Sequence, residues 1–179
     1  MSDLIFVTGS NSKLKELERV LGRQIFQKDL DLPEIQSINV EQVVGEKALS
    51  AFEAVGHIPV IVEDTGLFIN CWNGLPGALI RWFLETVGPH GICAMLDSFP
   101  DRSAYARTAV AKYDGSLKIY SGEVRGQIAS SPRGNKGFGW DTIFIPEGET
   151  RTFAEMEPLE KDKFSMRRIA IEKLVSSED

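Results

Sequence analysis

Two neighbouring acidic residues, Glu63 and Asp64, follow an apolar run at residues 59–62. The run is typical of a buried strand, so we expect both carboxylates at its carboxyl end, where α/β folds usually bind ligands. Hard oxygen ligands of this kind suit Mg²⁺ shared with phosphate oxygens and water. A solvated acidic turn is the alternative interpretation.

The polar loop Thr8-Gly9-Ser10-Asn11-Ser12-Lys13 joins an apolar run to a helical pattern. A helix N-terminus presents backbone N–H groups and a positive dipole end, and Lys13 adds a full charge, so this loop suits phosphate. It is not a Walker A loop, which needs GxxxxGK followed by Ser or Thr. The alternative is an ordinary turn that caps a helix.

Two segments near the carboxyl end carry further candidates. In Asn135-Lys136-Gly137-Phe138-Gly139-Trp140-Asp141 an aromatic face could stack on a base, and glycine would let the backbone approach a planar ligand. The alternative is that both aromatic side chains fill the core. The charged run at residues 160–168 offers cations for phosphate or a base carbonyl, although such runs are often solvated helix starts. Trp72 and Trp82 are interpreted as packing residues.

Apolar periodicity predicts the elements that position these groups. Helices are expected from Leu14 to Leu21, from about residue 40 to 55, around Arg81, over residues 91–99 and after a capping Ser165. Strands are expected at residues 4–7, 59–62, 104–113, 117–127 and 140–145, with a hairpin turn at Asp114-Gly115-Ser116. This uneven alternation predicts a two-lobed α/β fold, in which an elongated central mixed β-sheet is flanked by helices and a nucleotide cleft lies between the lobes.

Composition limits the function classes. The chain has 179 residues and a formal net charge of −6, which suits one domain over residues 1–179 and argues against broad nucleic-acid or acidic-membrane binding. No apolar run of 18 residues and no signal-peptide pattern occurs, and the two cysteines are far apart, so we expect a cytoplasmic protein that does not enter membranes.

Taken in order, these segments resemble the inosine triphosphate pyrophosphatase family over nearly the whole chain. The matching motifs include Asp31-Leu32-Pro33-Glu34, Val62-Glu63-Asp64-Thr65, Leu75-Pro76-Gly77, Arg81-Trp82-Phe83-Leu84, Ser103-Ala104-Tyr105-Ala106, Phe138-Gly139-Trp140-Asp141 and Ala154-Glu155-Met156. The resemblance implies Mg²⁺-dependent hydrolysis (Mn²⁺ is possible) of ITP, dITP and XTP to the monophosphate and pyrophosphate, which cleanses the nucleotide pool. It also implies a homodimer with purine nucleoside triphosphates as its partners.

The resemblance further implies residue roles. Asp64 and Glu63 would be catalytic, with the choice of base left open, and Glu34 and Asp64 would bind the metal. The implied substrate-binding residues are Thr8, Gly9, Ser10, Asn11, Ser12, Lys13, Lys47, Thr65, Arg81, Phe138, Gly139, Trp140, Asp141, Lys161, Met166 and Arg167.

Two departures from the family pattern bear on function. Ser10 stands where the family usually has asparagine, and a serine can still donate one hydrogen bond. Met166 replaces the histidine of a Ser-His-Arg motif, and methionine donates no hydrogen bond. Two alternatives therefore stay open: a nucleotide-binding protein with weakened catalysis, and a pyrophosphatase of the same fold for other modified nucleotides.

Overall fold

The computed structural model describes residues 4–177, and its centre is one seven-stranded mixed sheet. The strands are β1 (Ile5–Val7), β2 (Phe26–Lys28), β3 (Val60–Ile69), β4 (Pro76–Gly77), β5 (Ser103–Tyr113), β6 (Leu117–Ile128) and β7 (Phe144–Pro146). Their order is β2-β1-β3-β5-β6-β7, and β4 pairs with β3. The β1 pairings with β2 and β3 are parallel and all others are antiparallel. The expected mixed α/β sheet is confirmed.

Helices flank this sheet on both faces. They are α1 (Asn11–Leu21), α2 (Val40–Ala54), α3 (Ile80–Thr86), α4 (Gly88–Met95), α5 (Pro158–Lys161) and α6 (Met166–Ser176), with 3-10 turns at Asn70–Trp72, Gly139–Thr142, Phe153–Glu155 and Asp162–Phe164. The predicted cap of the last helix is confirmed, because Ser165 Oγ accepts a hydrogen bond from the Arg168 N–H at 3.1 Å. None of the helices in the described part of the chain is long and apolar enough to cross a membrane.

Alternation along β3 divides the core between the two faces of the sheet. Val62 and Phe68 pack with α2 residues such as Val44, whereas Ile61 packs with Leu17 of α1 and with residues of α6. A third apolar cluster contains residues from the carboxyl end of β3, from α3 and α4, and from the aromatic segment near β7. Since side chains of a strand alternate between faces, Val62 and Phe68 lie on one face of the sheet, and Ile61, Leu67 and Ile69 lie on the other.

The prediction that the second apolar strand ends at residue 62 is wrong. β3 continues through Glu63 and Asp64 to Ile69, because antiparallel β5 pairs with it at every position from Val60 to Ile69. The two carboxylates therefore lie in the middle of a strand. Adjacent strand residues point to opposite faces, so Glu63 and Asp64 meet different surroundings.

Three smaller predictions are also corrected. Residues 140–145 do not form one strand, because Gly139–Thr142 is a 3-10 turn stabilised by a hydrogen bond from the Phe138 N–H to the Asp141 carboxylate. The helix expected over residues 91–99 is Gly88–Met95, which begins earlier and has Pro89 in its first turn. Trp82 is not a packing residue, since it is 52% exposed on α3. Trp72, in contrast, packs against Phe83 at 6.1 Å between ring centroids.

Candidate active site

The middle of β3 is an open stretch of sheet edge. Its pairing with β1 ends at Ile61 and its pairing with β4 begins at Leu67, so residues 62–66 pair with β5 alone among the described strands. Asp64 and Thr65 lie in this stretch and line a cavity of about 610 Å³, which we call the cleft. A gap between two short edge strands therefore gives ligands access to a strand that is otherwise central.

The cleft collects most of the predicted site residues from distant parts of the chain. Those that line it are Ser12, Lys13, Asp64, Thr65, Arg81, Phe138, Trp140, Asp141, Lys161, Met166 and Arg167. A smaller cavity of about 210 Å³ contains Glu34 and shares Asp64 and Arg81 with the cleft. The remaining predicted residues line neither cavity: Thr8, Gly9, Ser10, Asn11, Lys47, Glu63 and Gly139.

Glu63 does not line the cleft, and each of its carboxylate oxygens forms an ion pair with a different cation. Its side chain is 2% exposed, with Lys13 Nζ 2.8 Å from Oε1 and Arg167 Nε 2.7 Å from Oε2. Burial alone would raise the pKa of Glu63, but Arg167 and Lys13 outweigh it and lower the pKa to about 2. Glu63 is therefore an ionised anchor for the two cations.

Asp64 has the opposite electrostatic character. Its Oδ2 is buried and has no hydrogen-bond partner among the described residues. Burial raises the pKa of Asp64 to about 7, against the lowering effect of Lys13 and Lys47, and the charge of Glu34 adds to the rise. A buried oxygen without a partner is costly, so this atom is a natural place for a proton or a cation to bind.

Glu34 and Asp64 fit a divalent cation that is shared with a ligand. Glu34 Oε1 lies 2.5 Å from Lys47 Nζ, and Asp64, whose Oδ2 has no partner among the described residues, borders the same small cavity as Glu34. The described residues contain no group of three or more His, Cys, Asp or Glu side chains that could hold a metal ion by themselves. Mg²⁺ is usually bound by one or two carboxylates together with phosphate oxygens and water, so this pair suits it better than a site built from protein ligands alone.

The first loop is fixed to the end of the sheet. The Thr8 N–H donates to the Lys28 carbonyl at 3.0 Å, and Gln27 Nε2 donates to the Thr8 carbonyl at 2.9 Å. A Cβ atom on Gly9 would lie 2.9 Å from Asp29 Oδ1, so the loop passes close to β2. Ser10 caps α1 by accepting from the Lys13 N–H at 3.4 Å. These contacts hold the start of α1, and with it Lys13, beside β3.

Glu16 belongs to the site although its role was not predicted. Its carboxylate accepts hydrogen bonds from Ser165 Oγ at 2.5 Å and from Arg167 Nη1 at 2.7 Å, and it lines the cleft. Burial alone would lower the pKa of Arg167, but the charges of Glu63 and Glu16 outweigh it and raise the pKa of Arg167 above the usual value. Glu16 stands three residues after Lys13, and that helical spacing is the signal that places both side chains on one face of α1.

The two aromatic residues of the Phe-Gly-Trp segment occupy different environments. Phe138 is 61% exposed and lines the cleft, with Lys161 Nζ 5.3 Å from the centre of its ring. Trp140 is 9% exposed and packs edge-on against Phe144 at 5.5 Å between centroids. Of the two, Phe138 offers a free ring face to a ligand, whereas Trp140 forms part of the apolar wall.

Asp141 holds this segment in place. Its buried carboxylate accepts from the Phe138 N–H at 2.9 Å and from Lys161 Nζ at 2.6 Å. A Cβ atom on Gly137 would lie 2.1 Å from Asp141 Oδ2, so only glycine fits there. Cleft-lining residues that the sequence did not single out include Leu84, Phe153 and Phe164. They are apolar, and nothing in their spacing separates them from core residues.

Met166 and Arg81 complete the walls of the cleft. Met166 is the first residue of α6 and is buried among the apolar residues near Trp140, so a thioether takes the place where the family pattern has an imidazole. Arg81 is exposed at the mouth, where its Nε bonds Glu85 at 2.7 Å. The cleft thus has one end rich in charge, around Lys13 and Asp64, and one end rich in aromatic surface.

Known proteins resemble this chain over nearly its whole length. The sequence pattern of the Ham1 family matches residues 4–177. The dITP/XTP pyrophosphatase of Methanopyrus kandleri is 41% identical over 175 residues, which cover 95% of this chain and 93% of that protein. The inosine triphosphate pyrophosphatase of Schizosaccharomyces pombe is 41% identical over 179 residues, with 97% and 94% covered.

Solved structures show the same fold. A HAM1 protein from Coxiella burnetii superposes with a TM-score of 0.85 at 28% identity, covering all of both chains. The Ham1 protein of Staphylococcus aureus gives a TM-score of 0.82 at 23% identity, covering 98% of this chain and 99% of that one. The solved structures, the family pattern and the similar proteins each match nearly all of this chain.

Proposed function

This chain belongs to the Ham1 family, and from that premise we propose that it hydrolyses the non-standard purine nucleoside triphosphates ITP, dITP and XTP to the monophosphate and pyrophosphate. Relatives at about 40% identity that are named dITP/XTP or inosine triphosphate pyrophosphatase support the reaction. One observation carries the proposal: Lys13, Asp64 and Trp140 line the same cleft. Its charged end suits a triphosphate and its aromatic end suits a base.

The charged end would compensate the negative charge of the triphosphate. Lys13 and the N-terminus of α1 face it from one side and Arg81 stands at the mouth. Glu34 and Asp64 would hold a Mg²⁺ or Mn²⁺ ion, whose chemistry is to neutralise phosphate charge and polarise phosphoryl oxygens. Lys47, paired with Glu34, would keep that carboxylate in position.

We assign the proton acceptor to Asp64 and a positioning role to Glu63. Water attacks the α-phosphorus, an O–P bond forms, and the bond from that phosphorus to the oxygen bridging to the β-phosphate breaks, which releases pyrophosphate. The water proton passes to the carboxylate of Asp64, which lines the cleft. Both Glu63 oxygens face cations, so Glu63 instead keeps Lys13 and Arg167 in place.

The aromatic end would select the base. A purine ring would stack on the exposed Phe138, in a cleft that Lys161 and Arg167 also line. Cationic donors suit the carbonyl at position six of hypoxanthine and xanthine, and the amino group of adenine would leave a donor unpaired. Such an unpaired buried group typically costs about 1–3 kcal/mol, or roughly 5- to 150-fold. Met166 supplies no donor there, so the discrimination depends on the remaining groups.

The decisive experiment is pyrophosphate release from a panel of ITP, dITP, XTP, GTP, ATP and modified pyrimidine triphosphates with Mg²⁺ or Mn²⁺. We expect kcat/KM for ITP and XTP to exceed that for ATP by roughly 10-fold or more. Binding of ITP without any pyrophosphate release would indicate a nucleotide-binding protein instead. Preference for another modified nucleotide would indicate a pyrophosphatase of the same fold with a different substrate.

We also propose that the chain works as a single domain within a homodimer. Several large apolar side chains on and beside α3 are exposed, among them Trp82 and Val87. Such a surface is consistent with an interface between two copies of the chain. Light scattering on the purified full chain measures this directly, and a monomer mass at micromolar concentration would contradict the dimer.

A further inference from the structure

One wall of the cleft is formed by residues 157–164, which we call the strap. It comprises α5 and the following 3-10 turn, and none of its residues is buried. Leu159 is exposed, and Phe164 is partly buried against the apolar cluster near Trp140. Lys161 projects from the strap over the rings of Phe138 and Phe153, at 5.3 and 5.1 Å from their centres. The strap therefore covers the proposed base end with little apolar burial of its own.

Ion pairs provide most of the strap's attachments. Glu157 pairs with Lys136, Glu160 with Arg151 at 3.1 Å, and Lys161 with Asp141 at 2.6 Å. These partners all come from residues 136–151. Asp162 pairs instead with Arg19 of α1, at 2.8 Å between Oδ2 and Nη1. Among the described residues this is the one ion pair that joins the strap to α1.

Arg19 continues a row of charged residues along α1. Lys13, Glu16 and Arg19 are spaced three residues apart, which places them along one face of the helix. Lys13 bonds Glu63 of β3, Glu16 bonds Arg167 at the start of α6, and Arg19 bonds the strap. The helix that presents the phosphate-side cation is thus also attached to the wall over the base.

We propose that Arg19 is a positioning residue that, through Asp162, holds the strap and hence Lys161 over the base end of the cleft. The identity of the bound base rests on the proposed function, but the attachment of the strap does not. A segment with few buried contacts opens locally at low cost, so losing one ion pair increases its opening. The expected change is about 2- to 5-fold, the usual size for a partly exposed ion pair.

Hydrogen exchange of the full chain tests the attachment without relying on activity. Peptides covering residues 157–164 should exchange about 2- to 5-fold faster in Arg19→Ala and unchanged in Arg19→Lys, which keeps the charge. Lys15→Ala is the matched control, because Lys15 is an exposed cation of the same helix with no ion pair to a described residue. Equal exchange in the Arg19→Ala and Lys15→Ala variants would overturn the proposal.

Kinetics test the consequence for the ligand. Arg19→Ala should raise KM for ITP about 2- to 5-fold with kcat unchanged, and Arg19→Lys should restore KM. Faster strap exchange with an unchanged KM would overturn the positioning role. If the wild type released no pyrophosphate, the proposed function would fail, and the dissociation constant for ITP, measured by tryptophan fluorescence, would replace KM. Absence of ITP binding would overturn the proposed function, and the exchange comparison would still decide whether Arg19 holds the strap.

Discussion

The cleft end around Asp64 is built from the middle of a ten-residue strand and the first turn of α1, whereas the end around Phe138 is built from 3-10 turns and the strap. At the first end, the buried Glu63 forms ion pairs with Lys13 and Arg167. At the second end, an exposed ring and the strap border an apolar wall, and the strap's pairs with Lys136 and Arg151 lie at the surface.

This difference indicates how each end responds to change. Buried charges interact strongly because little water screens them, so removing one alters either the reaction or the free energy of unfolding by a large amount. Contacts at the surface are screened and individually weak. We therefore expect substitutions near Asp64 to affect turnover or stability, and substitutions near Phe138 to affect affinity.

The largest expected effect is that of Asp64→Asn at the charged end. Loss of the proposed proton acceptor should lower kcat for pyrophosphate release about 100- to 10,000-fold. The free energy of unfolding at pH 8 should be unchanged or higher, because burial raises the pKa of Asp64 to about 7 and so disfavours its charge in the folded state. Turnover assays and urea denaturation at pH 8 measure the two effects.

The pH dependence of the wild-type free energy of unfolding provides a second test of Asp64. An Asp with a raised folded-state pKa binds its proton more tightly in the folded chain, so its contribution to stability declines as pH rises from about 4 to 7. The difference in free energy of unfolding between Asp64→Asn and wild type should grow over that range. If Asp64→Asn released pyrophosphate at the wild-type rate, Asp64 would not be the proton acceptor.

Glu63→Gln should produce the next largest effect, on stability. It leaves the buried Arg167 and the partly exposed Lys13 without a charged partner on β3, so the free energy of unfolding at pH 7 should fall by about 3 kcal/mol. Because the pKa of Glu63 is lowered to about 2, its stabilisation is present above about pH 4.5 and is lost as pH falls toward 2. Denaturation curves at several pH values measure this.

A surface pair provides the control for Glu63. Glu85 bonds Arg81 at 2.7 Å but is exposed, so Glu85→Gln should change the free energy of unfolding by less than about 0.5 kcal/mol. If Glu63→Gln were as harmless as Glu85→Gln, the contrast between buried and surface charges would be wrong.

The smallest expected effect on the reaction is that of Phe138→Ala, for which Trp140→Ala is the comparison. Phe138→Ala should weaken ITP binding roughly 5- to 100-fold with a smaller change in kcat, because it removes an exposed stacking surface and little core. Trp140→Ala should instead lower the free energy of unfolding by about 3–5 kcal/mol, since Trp140 is buried against Phe144. Calorimetric binding and thermal unfolding distinguish these outcomes. If Phe138→Ala bound ITP with unchanged affinity, Phe138 would be a packing residue and not part of the base site.

Local sequence signals predicted the regular elements well. Apolar spacing located α1 and α2, Ser165 marked the start of α6, and the turn at residues 114–116 located the β5–β6 hairpin. These features depend on neighbours within a few positions, so the sequence is sufficient to find them. The resemblance to the family also named half of the residues that line the cleft, and their roles stay predictions.

Only the tertiary structure decided how those residues differ from one another. In the sequence, Glu63 and Asp64 are one acidic pair, but pairing with β5 continues the strand and sends them to opposite faces. One carboxylate then meets two cations and the other keeps an unpartnered buried oxygen. The partners lie about 50 to 100 residues away in the chain, at Lys13 and Arg167. Electrostatic environment depends on distances in space, and local sequence patterns do not contain them.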